Sequence, residues 1–70
     1  MNDEQLDRYR QEGIKVRIVR DALELNDVVG IVVAWDDEHV LIRRPNRRVI
    51  KVKRGYDMRP ATEPRHWSNE

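Results

Sequence analysis

Apolar and polar positions alternate along this chain in short bursts, and the period of each burst suggests an element. At the amino end Leu6 and Tyr9 share a helical face, Asn2 and Gln5 have capping-box spacing, and Asp3, Glu4 and Asp7 precede Arg8 and Arg10. Gly13 is placed for a C-terminal cap, so a helix is predicted over about 3–12, with Leu6 and Tyr9 lying over the open end of a small barrel. Ile14, Val16 and Ile18 then alternate with Lys15 and Arg17, which predicts a strand over about 14–20 with one apolar and one basic face and a well-defined register. Residues 21–27 have no clean period and are compatible with a loop, a single helical turn or an extension of the next strand. Val28 to Trp35 is nearly continuous apolar sequence broken by Gly30, the pattern of a long strand that bends or bulges at its glycine and feeds the core with both halves.

Beyond an Asp36-Asp37 turn, strands are predicted over about 39–44 and 48–54, with Gly55 ending the second and a short fifth strand over about 56–59. Pro60, Pro64 and the polar residues around them read as a tail, with 61–70 flexible, because proline interrupts ladder pairing. Trp67 stands out in that tail; docking back on the core is the preferred reading, and anchoring a partner is the other. The expectation is one domain over 1–60: all-β, a small five-stranded, strongly bent SH3-like/Sm-like barrel with a short N-terminal α-helix.

Composition narrows this picture. Hydrophobic residues make up 39% of the 70, with no Phe and no Cys, so the core must be a thin one of Val, Ile and Leu, with Trp35 as a candidate addition, without a disulfide or thiolate metal site to reinforce it. No apolar stretch approaches the roughly 20 residues of a membrane span, and no signal-peptide pattern is visible; the expected location is cytoplasmic, away from membranes.

Net charge is +1, yet residues 1–38 hold five basic and ten acidic groups, and residues 39–70 hold nine basic and three acidic. The steepest part of that asymmetry is Arg43-Arg44-Pro45-Asn46-Arg47-Arg48, flanked by Val40-Leu41-Ile42 and Val49-Ile50. Pro45 presets the first central position of a turn and Asn46 tolerates the second, so the segment predicts a β-hairpin with four arginines at its tip. With Ile50 and Val52 turned inward, Arg43, Lys51 and Lys53 share a face that Lys15 and Arg17 can join.

These strands carry a resemblance. The alternating Ile14, Val16 and Ile18, the Gly30-Ile31-Val32 bend, the Trp35-Asp36 step, Val40-Leu41-Ile42 and Val49-Ile50-Lys51 together resemble the Sm-like fold of the bacterial Hfq-type RNA chaperones over roughly Leu6 to Pro60. The resemblance implies rings built by edge pairing of the last two strands and an RNA pocket drawn from the loops near Asp36 and Lys51. Where Hfq-type proteins resemble Tyr-Lys-His, this chain has Ile50-Lys51-Val52, so Lys51 alone transfers and uridine stacking does not. The pattern is also similar to KOW, Tudor and other SH3-like barrels, which bind RNA, DNA or peptides, and fold alone does not assign function.

The residues therefore predict a non-enzymatic nucleic-acid-binding module, RNA preferred, in which Arg43, Arg44, Arg47 and Arg48 grip phosphates, Lys51 and Lys53 extend the track and Tyr56 stacks a base. The opposing reading is a solvated hairpin whose charges pair with the acidic first half of the chain. The alternative function is a protein-interaction or self-assembly module, with another copy or an acidic protein as partner. Trp35 ends an apolar strand and reads as a core or rim residue. Asp36-Asp37-Glu38-His39 reads as an acidic turn, because consecutive side chains diverge and do not converge on a metal. No nucleophile triad, glycine-rich phosphate loop or metal-ligand spacing is visible, so no cofactor and no catalysis are expected.

Overall fold

A computed structural model of the chain describes residues 2–64; Trp67 and His66 lie outside the described residues. Helix α1 (Asp3–Glu12) begins where the Asn2 side chain accepts a hydrogen bond from the Gln5 N–H at 2.7 Å and ends at Gly13, whose φ of 63° is the left-handed cap. The capping box is half formed, since the Gln5 amide donates instead to the Tyr9 hydroxyl at 3.3 Å.

Five antiparallel strands follow: β1 (Lys15–Val19), β2 (Val28–Trp35), β3 (His39–Arg43), β4 (Val49–Lys53) and β5 (Asp57–Pro60). They form one sheet in the order β4-β3-β2-β1-β5. The undecided segment 21–27 contains a single 3₁₀ turn over Glu24–Asn26. No helix among the described residues is long and apolar enough to cross a membrane.

Period-2 alternation sets the two faces. Val16, Ile18, Val28, Val32, Val40, Ile42, Val52 and Met58 point inward and are buried, and Leu6 and Tyr9, sharing one face of α1 as their spacing predicted, pack over this inner face of the open sheet. Each aliphatic side chain buried there contributes about 1.5–3 kcal/mol by leaving water. Gly30 sits where β2 crosses β3. A Cβ on it would meet the Arg43 carbonyl oxygen and come within 2.7 Å of Ile42 Cγ2, so this crossing has no room for a side chain.

Three expectations need correction. The bulge is not at Gly30: the β2–β3 register slips between Val32 and Ala34, leaving Val33 as the extra residue. That slip inverts the alternation, so Trp35 pairs with buried Val40 and packs against the core, with the Arg10 guanidinium 5.9 Å from its ring centroid. Pro60 belongs to β5, opposite Val16, because an outermost strand does not need its missing N–H; Ala61 N–H then donates to the Lys15 carbonyl at 2.8 Å, so the ladder runs past the predicted start of the tail.

The expected barrel does not close. The sheet is not closed into a barrel, since β4 and β5 stand at opposite ends of the strand order and do not pair. Only residues 54–56 join them, so about 14 Å at most separates the end of β4 from the start of β5. The sheet is therefore curved but unsealed. Pro60 on one side and the charged Lys51 and Lys53 on the other are the features that disfavour pairing across the gap.

Candidate functional site

The β3–β4 turn forms as its sequence dictates. Arg47 N–H donates to the Arg44 carbonyl at 2.9 Å around Pro45 and Asn46, the Asn46 side chain accepts from Arg48 N–H at 3.0 Å, and Arg44 N–H donates to the Arg48 carbonyl at 2.7 Å. Nothing in the sequence marks the conformation of Arg47, whose φ of 70° is a left-handed position that glycine or asparagine fills more easily. An arginine there keeps a fourth guanidinium on the turn against a backbone strain of about 1 kcal/mol.

Beside this turn lies a groove of about 510 Å³ lined by Lys15, Gly30, Ile31, Arg43, Arg44, Pro45 and Arg47. Its cations come from three places. Lys15 and Arg43 flank Ile31 across the sheet, in register on the outer face, while Arg44 and Arg47 come from the turn. Gly30, having no side chain, lets the strands approach closely under the groove. Among the described residues no carboxylate forms an ion pair with Lys15, Arg43, Arg44, Arg47 or Arg48.

The other residues of the predicted site separate. Arg43, Lys51 and Lys53 do share the outer face, opposite Val49, Leu41 and His39 respectively. Lys51, however, lines a small hollow of about 120 Å³ with Ala34, Trp35, Asp36, His39 and Leu41, and Lys53 and Tyr56 line another of about 380 Å³ with Glu38, His39, Arg54 and Gly55. At about 3.3 Å per residue, Lys53 lies roughly 13 Å along β4 from Val49, so Tyr56 is at the opposite end of the hairpin from its tip. Tyr56 is also half-buried against the core, which limits its stacking face. Arg48 is exposed at the turn but does not line the groove.

Two basic residues are structural. Arg17, on the outer face of β1, is held 3.1 Å from the buried Asp27 carboxylate and 4.0 Å from Glu24, so its charge is countered. Arg54 donates to the Asp36 carbonyl at 2.8 Å and pairs with Asp3 at 2.8 Å, tying the amino end of α1 to the β2–β3 turn. That turn is also closed by the Asp36 carboxylate, which accepts from Glu38 N–H at 2.8 Å and His39 N–H at 2.7 Å. These two backbone donors, aided by His39 and Lys51, hold the Asp36 carboxyl below its ordinary value. Among the described residues no three acidic or histidine side chains gather as a metal site would require.

Lys15 is the groove residue most easily missed from the sequence, yet alternation along β1 marks it as outward-facing. Its meeting with Arg43 depends on two strand registers that no local pattern encodes. No protein-family model matches the chain, and searches of curated proteins and of solved structures return no match.

Proposed function

We propose that this chain is a non-enzymatic nucleic-acid-binding module, with RNA preferred over DNA, that grips phosphates in the groove beside the β3–β4 turn. The observation that carries the reading is the convergence of Lys15, Arg43, Arg44 and Arg47 on one groove, none of them in an ion pair among the described residues. Guanidinium forks match phosphate oxygens two at a time, and Lys15 adds a point charge. Ile31 and Pro45 give the groove an apolar lining against which sugar faces can rest.

Single strands suit this surface better than a duplex. The helix bears Asp3, Glu4, Asp7 and Glu12 and buries Leu6 and Tyr9 against the sheet, so it is unfit to enter a major groove. Tyr56 and Trp35 lie outside the groove lining, so binding is predominantly electrostatic, tolerant of sequence and steeply salt-dependent. The same reading relates the curved, open sheet to the Sm-like or SH3-like folds without their closure. Support comes from the strand order, the helix ahead of the sheet, the crossing at Gly30 and the Trp35-Asp36 step that closes β2.

Electrophoretic mobility shift with single-stranded RNA, double-stranded RNA and DNA at two salt concentrations tests the proposal. Single-stranded RNA should be retarded at low salt and released at high salt, with DNA weaker. No retardation at low salt with protein near millimolar would end the nucleic-acid reading, and tighter binding of DNA would end the RNA preference.

A further inference from the structure

The two outer strands of the sheet offer different things to a partner. In the β3–β4 ladder, Arg44 N–H donates to the Arg48 carbonyl at 2.7 Å and Arg54 N–H donates to the Glu38 carbonyl at 2.9 Å, which fixes the phase of the antiparallel bonds. Residues 50 and 52 then bond to β3, while Val49, Lys51 and Lys53 turn their N–H and C=O groups to the open edge. Among the described residues nothing pairs with them.

In the β1–β5 ladder, the bond from Ala61 N–H to the Lys15 carbonyl sets the phase so that Asp57 and Arg59 face β1 and Met58 and Pro60 face out. Pro60 has no N–H, and its carbonyl already accepts from Glu63 N–H at 2.9 Å. The edge of β5 is blunted; the edge of β4 is open.

Charge decides what fits that opening. Lys51 and Lys53 project from it on the outer face, residues 43–56 contain no acidic side chain, and neither lysine forms an ion pair among the described residues. Asp36 is the carboxylate whose ionisation feels Lys51, and it is committed to its own turn. Val49, 51% exposed, and half-buried Ile50 supply apolar contact on the two faces.

The geometry points to the β4 edge as the docking site for an extended acidic peptide of another protein, added as a sixth strand. Its main chain pairs with Val49, Lys51 and Lys53, and acidic side chains at alternate positions lie beside the two lysines. Antiparallel pairing of β4 with β4 of a second copy would set lysines against lysines, and β5 of a second copy offers little beyond Met58. The inference stands on the edge and is independent of the groove.

Fluorescence anisotropy with a capped, labelled peptide Glu-Val-Glu-Val-Val tests it on the whole chain. The peptide should bind, and N-methylation of the alternate backbone nitrogens that face β4 should weaken it at least tenfold at unchanged charge. Lys51→Glu with Lys53→Glu should cost at least tenfold, whereas Arg44→Ala with Arg47→Ala should change affinity less than threefold. The N-methyl comparison uses unaltered protein, so it stands even if the lysine variants fail to fold. Absence of binding, equal binding of peptides N-methylated in either phase, or binding that emerges only after residues 65–70 are removed would overturn the proposal, the last by making the chain's own C-terminus the occupant.

Discussion

Between β1 and β2, Arg17 is held by Asp27 and Glu24, Arg20 donates to the Asn26 carbonyl at 2.9 Å, and the Asp21 carboxylate accepts from Leu23 N–H and the Asn26 amide, each at 2.8 Å. Between β3 and β4, backbone bonds and the Asn46 side chain hold the turn, while four arginines around it form no ion pair among the described residues. Both connections are charged, but only the first uses its charges to define its own shape. Charge density along a sequence therefore does not separate structural ions from available ones. A turn whose geometry is already set by Pro45 and Asn46 leaves its cations for something else.

Stability should fall furthest when the first connection loses its buried ion. Asp27→Ala leaves Arg17 without its buried partner. Losing one side of a buried pair costs about 3–5 kcal/mol, and the 25% exposure of Arg17 reduces that to about 2 kcal/mol. Chemical denaturation measures it; a cost below about 0.5 kcal/mol would mean that the pair does not organise the loop.

Arg47→Gly sharpens the contrast from the other side. Glycine relieves the left-handed backbone, so stability should rise by about 0.5–1 kcal/mol while RNA affinity falls. Thermal unfolding and a binding titration on one sample would show the two quantities moving in opposite directions. A variant that lost stability would show that the Arg47 side chain holds the turn.

Much of this layout was legible in the sequence, for local reasons. Asn2 and Gly13 bracket α1, the run Val28 to Trp35 is β2, Pro45-Asn46 is a turn, and period-2 alternation puts Arg43, Lys51 and Lys53 on one face. What was hidden depends on partners distant in sequence. The extra residue at Val33 leaves no mark in an apolar run, although it turns Trp35 toward the core. Arg54 continues the basic run in sequence but is anchored to Asp3, and Arg17 matches Lys15 in pattern but meets Asp27. Tyr56 follows the basic stretch closely in sequence and lies at its far end in space because a hairpin doubles the chain back.

Asp36 should contribute least, because its turn faces solvent. Because its folded-state pKa is lowered, its contribution is complete well above the ordinary aspartate value, declines as pH falls below that value and is lost below the folded one. Denaturation midpoints at about pH 7 and about pH 3 should therefore diverge less in Asp36→Asn than in the parent chain. Equal divergence would show that the two backbone bonds do not depend on ionisation.

The most direct measurement is a salt titration of single-stranded RNA affinity. Four groove cations at roughly 0.7 each predict a log–log slope near −3 for the parent chain. Lys15→Gln, Arg43→Gln and Arg44→Gln should each make that slope shallower by about 0.7 at unchanged stability, whereas Arg20→Gln, in the β1–β2 connection, should leave it as it was. If Arg20→Gln shifts the slope as much as Arg44→Gln does, or if no groove substitution shifts it, the division between structural and available charge is contradicted.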